Sequence, residues 1–310
     1  MSMTSAQARV VDPVLSTHAR GYRHPDRVGN LLFPAVPVDV AAGKVVEFGR
    51  ESFMLYNARR SPGGATKRIQ CGYVGKPYEL VQDSLEGTVP RELARDASAV
   101  PGIDLGIRTT NTVMQALTLA LEHQQAGIAL DPANYDGGHK ATVASGLKWG
   151  TDDGKPIADV EAARQAVRAS CGSYPNVMVL GPVAYAALKT SRQIVDRFRN
   201  ADIVTPQMLA NLFELGSVVE GRAVIVENEE DGFVDVWGNA AVLAYVPPAP
   251  TGAEEPSFGY TYTMRDNPFV EQPYWHGNTK SWVYGVTYER QPVLTGMSAG
   301  FLIQAPAAEE

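Results

Sequence analysis

The stretch whose residue types and spacing match a catalytic motif is Gly296-Met297-Ser298-Ala299-Gly300, a G-x-S-x-G string. In a nucleophile elbow such a serine sits on a sharp turn between a strand and a helix, and its acid and histidine follow later in the chain. Here ten residues follow Gly300, the last histidine is His276, and no room remains for a helix. The string reads instead as a glycine-rich turn before a closing strand at 301–304.

Other candidate chemistry is equally thin. Gly154-Lys155 has the final pair of a phosphate loop, but the spacing before it is short and Pro156 stands where a hydroxyl would meet the metal. The histidines at 18, 24, 123, 139 and 276 include no pair four apart, so no zinc site is expected. His123 reads as a surface or interface residue on a long helix. Asp152-Asp153 and the acidic run 227–231 lack the alternating ligand spacing of a calcium loop, and both read as solvated turns.

A basic cluster remains: Arg59, Arg60, Lys67 and Arg68, set around Ser61-Pro62-Gly63-Gly64. Such residues could meet phosphate, or the acidic surface of a neighbouring copy. The flanks offer no aromatic platform for bases, and the net charge is −7, which favours the neighbouring copy. These four are therefore the inter-subunit contact candidates. No catalytic residue, cofactor site or metal site is assigned.

The rest of the composition agrees. A chain of 310 residues with 45% apolar content can bury a sizeable core, and its acidity excludes a surface that grips nucleic acid throughout. Cys71 and Cys171 stand a hundred residues apart and read as reduced thiols. No apolar run approaches the roughly 20 residues that span a bilayer, and no secretory signal opens the chain.

The elements that would carry these residues form a mixed α+β pattern. Residues 1–30 are polar and aperiodic, too poor in apolar residues for a packed element, and read as an arm that is ordered only where it lies on something else. Val36, Val38 and Val40 alternate, and with the turn at 61–64 and the return through Tyr73, Tyr78 and Leu80 they describe a long hairpin resting on a partner. A short helix is expected after Pro90. A long one covers 109–125, closed by Gly127, and another opens at Pro156 and ends before Gly172.

An apolar strand at 177–180 precedes a helix from 181 to 198. Thr205-Pro206 then caps a helix that Gly216 ends. Strands are expected at 218–226, 233–237 and 241–246, the first two joined by an Asp-Gly turn. Period-two runs follow at Phe258, Tyr260, Tyr262, Met264 and at Trp282, Tyr284, Val286, Tyr288. The tail at 305–310 reads as frayed.

This order of elements resembles that of tailed-phage coat proteins of the Hong Kong 97-type fold. Several strings sharpen the likeness: Lys148-Trp149 before the Asp turn with 156–164, 175–182 with Tyr185 and Leu188, Val236-Trp237-Gly238 with 242–247, and 256–261. The resemblance runs from about residue 31 to 304. It implies an N-terminal arm (1–30), an extended loop with flanking strands (31–90) and a peripheral domain with a spine helix (91–173). An axial domain (174–247), returning peripheral strands (248–304) and a tail (305–310) complete the division.

The implied function is a major capsid protein whose hexamers and pentamers build an icosahedral head around double-stranded DNA, held without sequence-specific contacts. The implied partners are further copies, with separate scaffolding, decoration and portal proteins, and no membrane. The implied location is the virion, assembled in the host cytoplasm. An encapsulin-like nanocompartment shell is the alternative with the same fold. Lys67 lies in the loop where the prototype carries its cross-linking lysine, but no partner asparagine is placed, so no cross-link is assigned.

Overall fold

Residues 10–44, 59, 77–98, 104–199, 204–226, 232–248 and 257–308 are described by a computed structural model of the chain. In chain order they form β1 (Val11–Asp12), α1 (Pro13–Gly21), β2 (Ala35–Val38), β3 (Ala42–Lys44), β4 (Pro77–Glu79), β5 (Val81–Pro90), α2 (Arg91–Ser98) and α3 (Leu105–Leu130). Next come β6 (Lys140–Thr142), α4 (Pro156–Cys171), β7 (Val177–Leu180), α5 (Pro182–Thr190), α6 (Arg192–Arg197), α7 (Pro206–Leu212), β8 (Ser217–Glu220), β9 (Val224–Ile225), β10 (Val234–Asp235) and β11 (Ala240–Ala244). The chain closes with β12 (Gly259–Met264), β13 (Phe269–Glu271), β14 (Tyr274–His276), β15 (Ser281–Leu294) and β16 (Gly300–Gln304).

Two larger sheets organise these elements. One has seven strands in the order β1-β13-β15-β12-β2, with β14 and β5 also on β15. Its axis is β15, 14 residues long, which pairs with β5 from Ser281↔Pro90 to Arg290↔Val81. The alternating aromatic and β-branched residues of β12 and β15 suit such a pleated, largely covered surface. The second sheet has five strands, β6-β16-β11-β7-β8. All four residues of β7 are buried, because helices cover one face and α3 with the arm covers the other.

The long helix joins the two. Near its start Val113, Met114 and Leu117 pack on Val270 and Val286 of the seven-stranded sheet. Near its end Ala126 and Ala129 share a core with Val242, Trp237 and Phe258. At 26 residues it spans about 39 Å, at 1.5 Å per residue. Local signals set several boundaries: Pro156 opens α4, Gly172 closes it at φ 76°, and Thr205 Oγ1 accepts from the Met208 amide at 3.3 Å.

Five expectations are corrected. The arm is not devoid of packed structure: Asp12 caps α1, and Leu15 and Ala19 are buried against the chain's own α3 and β13. Gly127 does not close α3, which continues to Leu130 and stops before Pro132, where the proline disfavours helical backbone in the residue ahead of it. The single helix expected over 181–198 is two, separated by extended backbone at Ser191.

The tail is not frayed through 307. Asn239 brackets Ala307 with two hydrogen bonds of 2.9 and 3.0 Å, and the Trp149 amide donates to the Pro306 carbonyl. The strand expected at 218–226 is interrupted at Gly221, where a Cβ would lie 2.3 Å from the Trp237 ring. Cys71, the acidic run 227–231 and residues 249–256 lie outside the described residues.

Candidate assembly surfaces

The expected hairpin has its base in β3 and β4, paired antiparallel as Ala42↔Glu79, Gly43↔Tyr78 and Lys44↔Pro77. Tyr78 fastens that base to the seven-stranded sheet by stacking on Tyr262 at 4.5 Å and 7°. A side chain at Gly43 would come within 2.7 Å of the Tyr78 ring, so the facing position must be small. Burial pushes the Tyr78 hydroxyl pKa up. Beside the base, Arg265 grips Asp39 with two hydrogen bonds, and the guanidinium holds the Asp39 carboxyl below its usual range. Of the four contact candidates, Arg59 is described and exposed, while Arg60, Lys67 and Arg68 lie outside the described residues.

A buried carboxylate holds the arm to the spine helix. Glu122, 1% exposed on α3, accepts from the Val28 amide at 3.0 Å, the Gly29 amide at 2.9 Å and Trp237 Nε1 at 2.8 Å. Burial raises its pKa despite these donors and the nearby Arg27. Gly29 permits the approach, since a Cβ there would sit 2.2 Å from Gln125 Oε1 and 2.9 Å from Glu122 Oε2. Nothing in the spacing of Glu122 announced this; only its place among the apolar residues of a helix is unusual.

Arg290 is also enclosed. Its Nη2 donates to the Leu117 carbonyl at 2.8 Å and faces Asp83 at 3.2 Å, while Nε and Nη1 have no partner. Burial lowers its pKa.

The exposed large apolar side chains include two groups in which neighbours stand together. Phe233, 79% exposed, continues β10 beside Val224 and Val226, on a two-stranded ribbon that is marginal by itself. Trp275 and Trp282 face one another across β14 and β15, edge to face at 5.7 Å and 42% exposed each. Aromatic residues left at a surface in this way are characteristic of contact with another protein.

The chemistry stays structural. Met297–Ala299 is a single 3-10 turn before β16, and the Ser298 carbonyl accepts from Ser170 Oγ at 2.7 Å. The fold does assemble a line of Asp136, His139 and Ser170, with both links 2.7 Å long. The Ser170 hydroxyl, however, lies within 3.0 Å of the Ala166, Val167 and Ser298 carbonyls, which claim its single hydrogen. The line closes the end of α4 and presents no nucleophile. Among the described residues, no group of three or more His, Cys, Asp or Glu could hold a metal ion. Nor is any described helix long and apolar enough to cross a membrane.

No family model matches the chain. It is 32% identical over 305 residues to the major capsid protein of Burkholderia phage BcepMu, covering 96% of this chain and 97% of that protein. The crystal structure of a phage-related protein from Bordetella bronchiseptica superposes with a TM-score of 0.87 at 47% identity, over 98% of this chain and all of the other. The mature capsid subunit of bacteriophage PhiM1 shares the fold at 14% identity and a TM-score of 0.52, over 91% of this chain and 87% of that one. The chain therefore belongs to the phage major capsid proteins: it has the Hong Kong 97-type fold, and its role is structural, as a coat subunit of the virion.

Proposed function

We propose that copies of this chain close into rings of five and six and that these rings build an icosahedral head around double-stranded DNA. The supporting observation is the loop base: β3 and β4 are fixed to the sheet through Tyr78, and residues 45–76 lie between them. A loop of that length adds contact area that the body alone does not offer. Each contact of a basic loop is modest, yet a subunit held by several neighbours leaves only when all release together.

The reading also divides the chain into an arm at 1–30, loop and flanking strands at 31–90, peripheral parts at 91–173 and 248–304, an axial part at 174–247 and a tail at 305–310. The five-stranded sheet draws β6 and β16 from outside the axial range. Separate scaffolding, decoration and portal proteins are its expected partners, in the host cytoplasm where heads assemble. An acidic coat suits a container that holds DNA without sequence-specific contacts and later releases it.

Deleting 59–68 tests the loop's part. A soluble, folded subunit that forms no stable shells is the expected result. Normal shells with unchanged resistance to heating overturn it.

A further inference from the structure

Arginines gather around one cavity of the molecule without a matching set of carboxylates. α1 and the turn after it carry Arg20, Arg23 and Arg27, and all three line a cavity of about 460 Å³ between the arm, α3 and β12. Arg20 and Arg23 are exposed, and backbone oxygens hold them: Arg20 Nη1 donates to the Asp266 carbonyl at 3.1 Å, and Arg23 Nη1 to the Arg20 and Tyr22 carbonyls at 3.0 and 2.8 Å. Arg27 is half-buried, and its Nε has no hydrogen-bond partner. Among the described residues, no carboxylate accepts a hydrogen bond from any of the three.

The β12 wall adds a second unmatched donor. Thr261 and Thr263 share one side of that strand by alternation. Thr261 Oγ1 meets Gln125 Nε2 at 2.9 Å, whereas the Thr263 hydroxyl, in a residue 7% exposed, has no partner.

The two carboxylates that line the same cavity are otherwise engaged. Glu122 lies near Arg27, but its oxygens take the Val28 and Gly29 amides and the Trp237 indole. Asp266 is exposed and lies beside Arg265.

Buried donors without partners cost free energy, and an oxyanion in the cavity would satisfy them. Guanidinium forks match the oxygens of carboxylate and phosphate alike. Three forks exceed what the two oxygens of one carboxylate accept and suit the three terminal oxygens of a phosphate monoester. The volume falls among small-molecule sites, roughly 300–1,000 Å³, and leaves room for an organic group beside the phosphate. Tyr22, Met114 and Tyr288 offer that group an apolar wall.

We propose that this cavity binds a phosphate monoester of nucleotide size, with Arg20, Arg23 and Arg27 on the phosphate oxygens and Thr263 Oγ1 donating to the same group. A free nucleotide and the terminal phosphate of a DNA strand share that chemistry.

Isothermal titration of the full-length chain tests it, with thymidine 5′-monophosphate, thymidine and a short 5′-phosphorylated thymidine oligonucleotide as probes. The monophosphate is expected to bind saturably and thymidine not to bind. Arg23→Gln/Arg27→Gln should weaken binding about ten-fold or more, with circular dichroism unchanged. If that variant fails to fold, Thr263→Val, which removes a hydroxyl that has no partner, should weaken binding about three-fold or more. Arg192→Gln/Arg199→Gln, the same charge change at exposed residues outside the cavity, should bind as the wild type does.

An oligonucleotide that binds more tightly than the monophosphate, with the same losses in the cavity variants, assigns the site to a DNA end. One that binds more weakly assigns it to a free nucleotide. No saturable binding of either phosphorylated probe, unchanged affinity in the cavity variants, or an equal loss in the control pair overturns the proposal.

Discussion

Glu122 on the spine helix accepts the indole N–H of Trp237 at 2.8 Å, across 115 positions of sequence. The same carboxylate takes the amides of Val28 and Gly29, so one buried side chain fixes the arm, the helix and the segment before β11 relative to each other. Burial nevertheless dominates its titration and raises its pKa.

That shift has a sign. Where the folded pKa is raised, the folded state holds a proton that the unfolded state has lost, and stability falls as pH rises from the ordinary carboxylate range through the raised value. Denaturant unfolding across mildly acidic to neutral pH should show that decline, and Glu122→Gln should remove it. Asp39 and Asp136, whose pKa values are lowered by Arg265 and His139, act below the ordinary range and in the opposite direction. An unchanged slope in Glu122→Gln would contradict the assignment.

Two glycines near this junction should respond oppositely to alanine. Gly29→Ala places a Cβ against Gln125 and Glu122 and should cost about 1–3 kcal/mol. Gly127, inside α3 with nothing within 4 Å, should gain up to about 1 kcal/mol on the same change. Midpoints of denaturant unfolding measure both.

The fold was legible where local chemistry decides. Pro156 and Gly172 bound α4, the alternation of Trp282 to Tyr288 marks β15, and the four apolar residues of β7 are a buried strand. It was not legible where distant partners decide. Leu15 and Ala19 are too sparse a stripe to announce α1, which forms because β13 and α3 cover it and Ser16 meets Val270 across 254 positions. Gly127 carries a stop signal that tertiary packing of α3 overrides. The tail order depends on Asn239, and the Asp136–His139–Ser170 line depends on a contact between residues 31 apart. For the assembly surface, the basic cluster was visible as charge, whereas the exposed pair Trp275 and Trp282 appears only once strand register sets the two side by side.

Arg290→Met should be tolerated. The guanidinium is fully enclosed with Nε and Nη1 unpartnered, whereas its ionic partner Asp83 is 31% exposed, so water takes over that carboxylate and no buried charge is left uncompensated. Stability equal to the wild type, or up to about 2 kcal/mol higher, is expected from thermal and denaturant unfolding. A large loss would mean that the bond to the Leu117 carbonyl outweighs the burial.

Asn239→Ala removes both bonds to Ala307 and should cost about 1–3 kcal/mol, at 0.5–1.5 kcal/mol for each bond. Carboxypeptidase should then trim the tail at 305–308 faster than in the wild type. Equal trimming rates would show that Trp149 and the burial of Ala307 hold the tail without Asn239.

Electron microscopy of the purified full-length chain, alone and co-expressed with a scaffolding protein, tests the central claim most directly. Closed shells of uniform diameter with rings of five and six subunits are the expected result. A monomer that persists under every assembly condition contradicts it.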